Sequence, residues 1–130
     1  MNLLFPLLLL AAQPQDPPWN CDDPQVQQEM NWCAAREYER ADAALNAQWP
    51  ITAAEMKRRD EQNDWPYDER PGYFETLLKA QRAWIEYRDA HCQSEGYWAR
   101  GGPLEPLLVS TCKTRLTEER TEQLQFLVEQ

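Results

Sequence analysis

PQVQQEMNWCAAREYERADAALNAQ, residues 24–48, is the stretch whose reading decides the fold. Val26, Met30, Cys33, Ala34, Tyr38, Ala41 and Leu45 recur at steps of three and four residues, the spacing of one helix face. Asp23 reads as the N-cap and Pro24 as the first helical position, where a missing N–H costs nothing. Pro50 is expected to end this helix, because an interior proline removes a backbone hydrogen bond and clashes with the preceding turn. Working outward, Thr52-Ala53-Ala54-Glu55 has the capping-box pattern and opens a short charged helix to about Gln62.

Residues 63–72 carry Pro66, Pro71 and Gly72 and read as a loop. A second long helix is expected from Tyr73 to about Glu95, with Leu77, Leu78, Gln81, Trp84, Ile85 and Arg88 near one stripe. Gly96, Gly101 and Gly102 mark the next connection. Pro103 and Pro106 suit the first turn of a last helix running through Leu108, Cys112, Leu116, Leu124 and Leu127. No strand-like alternation and no internal repeat appears. The expectation is an all-α fold: a small disulfide-stapled bundle of three long helices and one short helix.

Upstream, residues 3–12 form the apolar run LLFPLLLLAA. It is too short for a bilayer, which needs roughly 20 residues. It matches the core of a signal peptide with cleavage near Ala12, and the absence of Lys or Arg before it leaves room for a start further upstream. The expected organisation is a leader over residues 1–12, a Pro-rich arm over 13–22 and one helical domain over 23–130. No membrane span is expected in the mature chain, and the location is periplasmic or secreted.

The 130-residue chain carries 22 acidic and 13 basic residues, a net charge of −9. Its mean hydropathy is −0.80. The acidic balance argues against nucleic acid, whose readers carry basic patches. Six tryptophans and five tyrosines argue against disorder. The charge is uneven: residues 16–50 hold seven acids and two bases, a net of −5. That reads either as a solvated face or as steering for a cationic protein.

Cys21, Cys33, Cys92 and Cys112 are an even set in a small exported chain and read as two disulfides. Zinc, and metal in general, is the weaker reading, because CxxC pairs are absent and His91 is the single histidine. A helix starting at Pro24 would carry Cys33 about 15 Å up its axis, beyond the reach of Cys21. An up-down-up bundle would set Cys92 level with Cys21, and Cys112 level with Cys33. The expected bridges are therefore Cys21–Cys92 and Cys33–Cys112.

Three phrases stand out: Gln28-Glu29-Met30-Asn31-Trp32-Cys33-Ala34; Ala41-Asp42-Ala43-Ala44-Leu45-Asn46; and Ala80-Gln81-Arg82-Ala83-Trp84-Ile85-Glu86-Tyr87-Arg88-Asp89-Ala90-His91-Cys92. With Gly101-Gly102, Cys112 and Leu116-Thr117-Glu118-Glu119-Arg120, the chain resembles the N-terminal domain family of LprI-type lysozyme inhibitors, small exported bacterial helical domains. The resemblance covers about Cys21 to Leu127. It implies inhibition of lysozyme, a basic enzyme, in the cell envelope. The chain departs from the founding lipoprotein pattern in lacking a small-residue lipobox before Cys21.

Gln81, Trp84 and Arg88 share a helix face, Asp89 lies beside it, and Asp42 and Asn46 sit one turn apart on the first helix. They read as a polar network locking helix register, with a ligand site around Trp84 and Tyr87 as the rival. The loop residues Asp64, Trp65, Tyr67, Asp68 and Glu69 combine aromatic anchors with acids. Together with Trp98 in the second connection they are the candidate partner-binding residues; the rival is a loop packed over the bundle end. Catalytic residues and cofactors are not expected: the chain has no GxSxG, HExxH or P-loop pattern. The functional expectation is an exported protein that binds and inhibits a cationic partner such as lysozyme. The alternatives are a periplasmic structural or accessory module, or a small-ligand or glycan binder.

Overall fold

The computed structural model describes residues 19–63 and 66–130. The expectations for the leader, for most of the Pro-rich arm, and for Asp64 and Trp65 lie outside the described residues. Three helices make the fold: α1 over Gln27–Gln62, α2 over Tyr73–Gly96 and α3 over Glu105–Glu129. A 3-10 turn at Tyr97–Ala99 leads from α2 toward α3. The described residues contain no strand, so the chain is all-α.

The short fourth helix does not exist as a separate element. Pro50 lies inside α1, which continues without a break to Gln62. The proline leaves the carbonyl of Asn46 without its helical donor, but Asn46, Ala47 and Pro50 are all exposed, so water can serve that carbonyl. Beyond the proline, the buried Thr52 hydroxyl donates to the Leu124 carbonyl of α3 at 2.9 Å rather than capping a new helix. Glu55 likewise turns to Arg58 and Arg59 rather than back to Thr52. Tertiary contact on the inner face carries the helix through its weak point.

The start of α1 also differs from the expected one. The helix begins at Gln27, after an extended Val26, and the segment before it doubles back along the helix. The Glu29 carboxylate ties this turn down, accepting the Asn20 amide at 2.7 Å and the Gln25 amide at 3.1 Å. The Trp19 indole meets that of Trp32 edge to face at 5.8 Å. Cys21 therefore returns to Cys33, with Cα atoms 5.5 Å apart and a disulfide between them.

The second bridge follows from register. Asn31 of α1 donates to the Pro103 carbonyl, and Thr52 to that of Leu124, and both contacts span 72 residues. α1 and α3 thus run parallel with a fixed offset, which sets Cys112 level with Arg40. Cys33 lies seven positions away, about 10 Å along the axis. α2 runs antiparallel to α1, with Tyr73 at Asp60 and Arg88 at Asp42. That brings Cys92 to the level of Cys112 on the adjacent helix. The bridges are Cys21–Cys33 and Cys92–Cys112, not the expected Cys21–Cys92 and Cys33–Cys112.

The core is small. Leu45, Met56, Leu77 and Leu124 are buried together, with Trp49, Phe74, Trp84 and Leu127 packed around them. This cluster occupies the half of the bundle toward the α1–α2 loop. The half toward the α2–α3 connection is held by the Cys92–Cys112 disulfide and by Arg88.

Candidate functional site

Arg88 sits where all three helices meet and is 7 % exposed. Its Nε donates to Asp89 at 3.0 Å, and its Nη1 lies 3.4 Å from the Thr117 hydroxyl and 3.8 Å from Asp42. The guanidinium packs against the rings of Trp84 and Tyr38, with centroids at 4.9 and 5.5 Å. Lys113 joins from α3, 3.8 Å from Asp89. Burial raises the Tyr38 phenol above its ordinary pKa, and the neighbouring Arg88 works against that rise. Asn46 donates to Asp42 at 3.3 Å. The structure thus brings Asp42, Asn46, Trp84, Arg88 and Asp89 together. Gln81 stands apart, two turns earlier on α2, where its side-chain oxygen accepts from Arg120 at 2.9 Å.

The partner-binding candidates do not form one surface. Tyr67 is 99 % exposed and lies in the α1–α2 loop, while Trp98 is 82 % exposed in the turn after α2. The 24 residues of α2 separate these ends by about 36 Å. Within the loop, Asp68 is bound on both oxygens by Arg70, at 2.8 and 2.7 Å. These bonds hold its carboxyl down at about 2. Glu69 is exposed.

Trp98 sits on a firmly built corner. Gly102 donates to the Ala99 carbonyl at 2.9 Å, and the Gly101 amide donates to Glu105 at 2.8 Å. Gly101 has a φ of +79°, which a side chain would oppose. The Tyr97 ring is covered by Arg100 at 4.3 Å and its hydroxyl accepts from Gln93 at 2.8 Å. Gly96 packs so closely on α3 that a Cβ there would lie 2.5 Å from a Val109 methyl carbon. Every neighbour of Trp98 in this turn is fixed, and the indole is left in solvent.

The charge of residues 16–50 is redistributed by folding. Arg36 pairs with Glu39, and Arg40 with Glu37. Glu29 is spent on the arm and Asp42 on Arg88. Asp22 and Asp23, both exposed, remain in the turn beside Cys21. This turn and the Trp98 corner belong to the same end of the bundle, because Cys21 joins Cys33 and Asn31 joins Pro103.

His91, Glu95 and Cys112 place one potential metal-ligand atom each within 4.8 Å of one another. The Cys112 sulfur is committed to a disulfide, so it offers no thiolate. His91 and Glu95 bond one another at 3.0 Å, and Arg115 completes the group at 2.7 Å from Glu95. Among the described residues no helix is long and apolar enough to cross a membrane.

Sequence reasoning missed several residues that carry structure: Glu29, Asp60, Thr117 and Arg120. Asp60 accepts the Tyr73 and Phe74 amides at 2.6 and 3.0 Å, so the last turn of α1 caps the first turn of α2. A local capping pattern could not reveal this, because donor and acceptor lie 13 residues apart.

A relative from Rhizobium meliloti (strain 1021), itself uncharacterised, is 41 % identical over 126 residues, covering 95 % of this chain and 91 % of its own length. No solved structure matches significantly. The family model described as lysozyme inhibitor LprI matches residues 21–124, from the first cysteine to the buried Leu124, and the chain belongs to that family.

Proposed function

We propose that this chain is an exported protein that binds a basic lysozyme and blocks its cleft with the corner carrying Trp98. The observation that carries the reading is an indole 82 % exposed on a corner whose other parts are all fixed. Tryptophans of this kind are enriched among the few residues that dominate protein interfaces. A pre-ordered corner also loses little conformational freedom on binding. The exposed Asp22 and Asp23 at the same end supply the sign of charge that steers a cationic enzyme in. Family membership supports the enzyme class of the target. Two disulfides support an oxidising compartment, and residues 1–12 then act as the leader. The Arg88 cluster serves as a structural lock in this reading, not as a site.

The test is a lysozyme activity assay with the purified, oxidised protein. Stoichiometric inhibition at low salt that weakens as salt rises is the expected result, since exposed charges are screened beyond about 10 Å at 0.1 M. Trp98→Ala is expected to weaken inhibition at least tenfold, and Tyr67→Ala to leave it unchanged. No inhibition at a large excess of protein removes the lysozyme reading. Inhibition that survives Trp98→Ala but is lost with Tyr67→Ala moves the contact to the opposite end. A flat indole beside Tyr97 also suits a sugar ring, so a tryptophan fluorescence shift with peptidoglycan fragments, without inhibition, would favour a glycan binder.

A further inference from the structure

α1 begins at a poor cap while a good one stands idle just upstream. Val26 occupies the N-cap position with an extended backbone and no side-chain cap, and valine is among the weakest residues there. Glu29 reaches back to the Gln25 amide at 3.1 Å and the Asn20 amide at 2.7 Å, half of a capping box with no side chain to return the bond. Asp23 is exposed, and among the described residues only its backbone carbonyl is engaged, by the Gln25 side-chain amide at 3.2 Å. Yet Asp23 followed by Pro24 is the better start: an acceptor at the N-cap and a preset φ at the first helical position.

The Cys21–Cys33 bridge forbids that start. A helix from Pro24 would carry Cys33 about 13.5 Å along the axis, while the bridge holds the Cys21 Cα 5.5 Å from that of Cys33. The chain from Cys21 to Pro24 reaches about 10 Å only when straight, and here it must also turn back. Starting at Gln27 cuts the helical span to Cys33 to about 9 Å and leaves twice as much chain for the turn, so the bridge closes. Closure thus deprives α1 of Pro24, Gln25, Val26 and the stronger cap.

We propose that Cys21–Cys33 is a redox-sensitive clasp on the start of α1: opened by a dithiol, it lets Pro24, Gln25 and Val26 join the helix with Asp23 as the N-cap. Cys21 is exposed and Cys33 is 8 % exposed, so the reductant attacks Cys21. A thiolate of the dithiol bonds to the Cys21 sulfur, and the Cys33 sulfur leaves as a thiolate that takes up a proton. The second thiol of the reductant then displaces Cys21 and the reductant ends as a disulfide, so two electrons and two protons pass to the protein. Once open, the folded-back turn is retained only by the two Glu29 bonds and the edge contact of Trp19 with Trp32 at 5.8 Å. The longer helix offers more. It gives the amides of Gln27, Gln28 and Glu29, now in the unsatisfied first turn, carbonyl acceptors at Asp23, Pro24 and Gln25. Trp32 loses its cover, and Asp22 and Asp23 move from the turn to the head of the helix. The surface at this end therefore differs between the two redox states, independently of any lysozyme contact.

The test compares the oxidised protein with the double variant Cys21→Ser, Cys33→Ser, which keeps Cys92–Cys112. In the double variant the Cα chemical shifts of Pro24, Gln25 and Val26 are expected to move from extended to helical values. The amides of Gln27, Gln28 and Glu29 are expected to exchange with solvent severalfold more slowly. Unsubstituted protein in dithiothreitol is expected to show the same changes, with alkylation and mass spectrometry finding label only on Cys21 and Cys33. Asp23→Ala is expected to reverse the changes in the opened chain and to leave α1 of the oxidised chain as it is. Extended or averaged shifts at residues 24–26 once the bridge is open, or helical shifts that persist in Asp23→Ala, overturn the proposal. So does labelling of all four cysteines together, since the clasp would then not open on its own.

Discussion

Arg88 illustrates how much one side chain carries in a bundle with a small core. It touches α1 through Tyr38 and Asp42, its own helix through Trp84 and Asp89, and α3 through Thr117. Its carboxylate partners are partly exposed, so part of their attraction is screened. Arg88→Ala is therefore expected to cost about 2–4 kcal/mol, somewhat less than breaking a fully buried pair. Urea denaturation measures it. A loss below about 0.5 kcal/mol, the size of an ordinary surface change, would show that Arg88 does not hold the junction. The sequence made this residue legible through helical spacing, since Gln81, Trp84 and Arg88 fall on one stripe. It could not separate Gln81, which meets Arg120 instead, because the partner on α3 depends on register between helices.

Between elements, the same lesson applies to the caps. The Asp60 carboxylate of α1 lies against Gly72, where a Cβ would come within 2.5 Å of Oδ1. Gly72 has a φ of −70°, so the requirement is space, not an unusual backbone. Gly72→Ala is expected to push Asp60 off the Tyr73 and Phe74 amides and lose about 1–2 kcal/mol, the size of an N-cap. Combined with Asp60→Ala, the two losses should fall well short of additive, because both remove one interaction. Additive losses in chemical denaturation would detach Gly72 from the cap. α1 is tied to α3 by similar means. Arg59 donates to the Leu127 and Gln130 carbonyls at the end of α3 and is held by Glu55, whose carboxyl its arginine neighbours keep at about 2. The boundaries of α2 were legible because proline and glycine stop the chain before Tyr73 and glycine follows Glu95. The break expected at Pro50 was not there, because proline reports only the local cost of a helix and not the contacts that offset it.

Across the whole molecule, the two disulfides differ in setting. Cys92 and Cys112 are wholly buried between α2 and α3, whereas Cys21 is exposed in the turn before α1. Each closes a loop of 12 or 20 residues, worth about 3 kcal/mol in the chain-entropy account. Under native conditions a thiol reductant should open Cys21–Cys33 first, and Cys92–Cys112 only as the bundle unfolds. Timed alkylation followed by mass spectrometry reads the order; simultaneous labelling of all four sulfurs would show that the bridges share one opening event.

Apolar periodicity, the placement of glycine and proline and the even cysteine count by themselves determined an all-α chain with two bridges. They are properties of consecutive residues, and the physics of a helix face or a turn acts over three or four positions. Which cysteines join, where Glu29 and Asp60 find their donors, and that α1 runs through Pro50 were decided by the tertiary structure alone. Each depends on the offset between α1 and α3 and on the folding back of the first turn, and those are fixed by packing between residues dozens of positions apart.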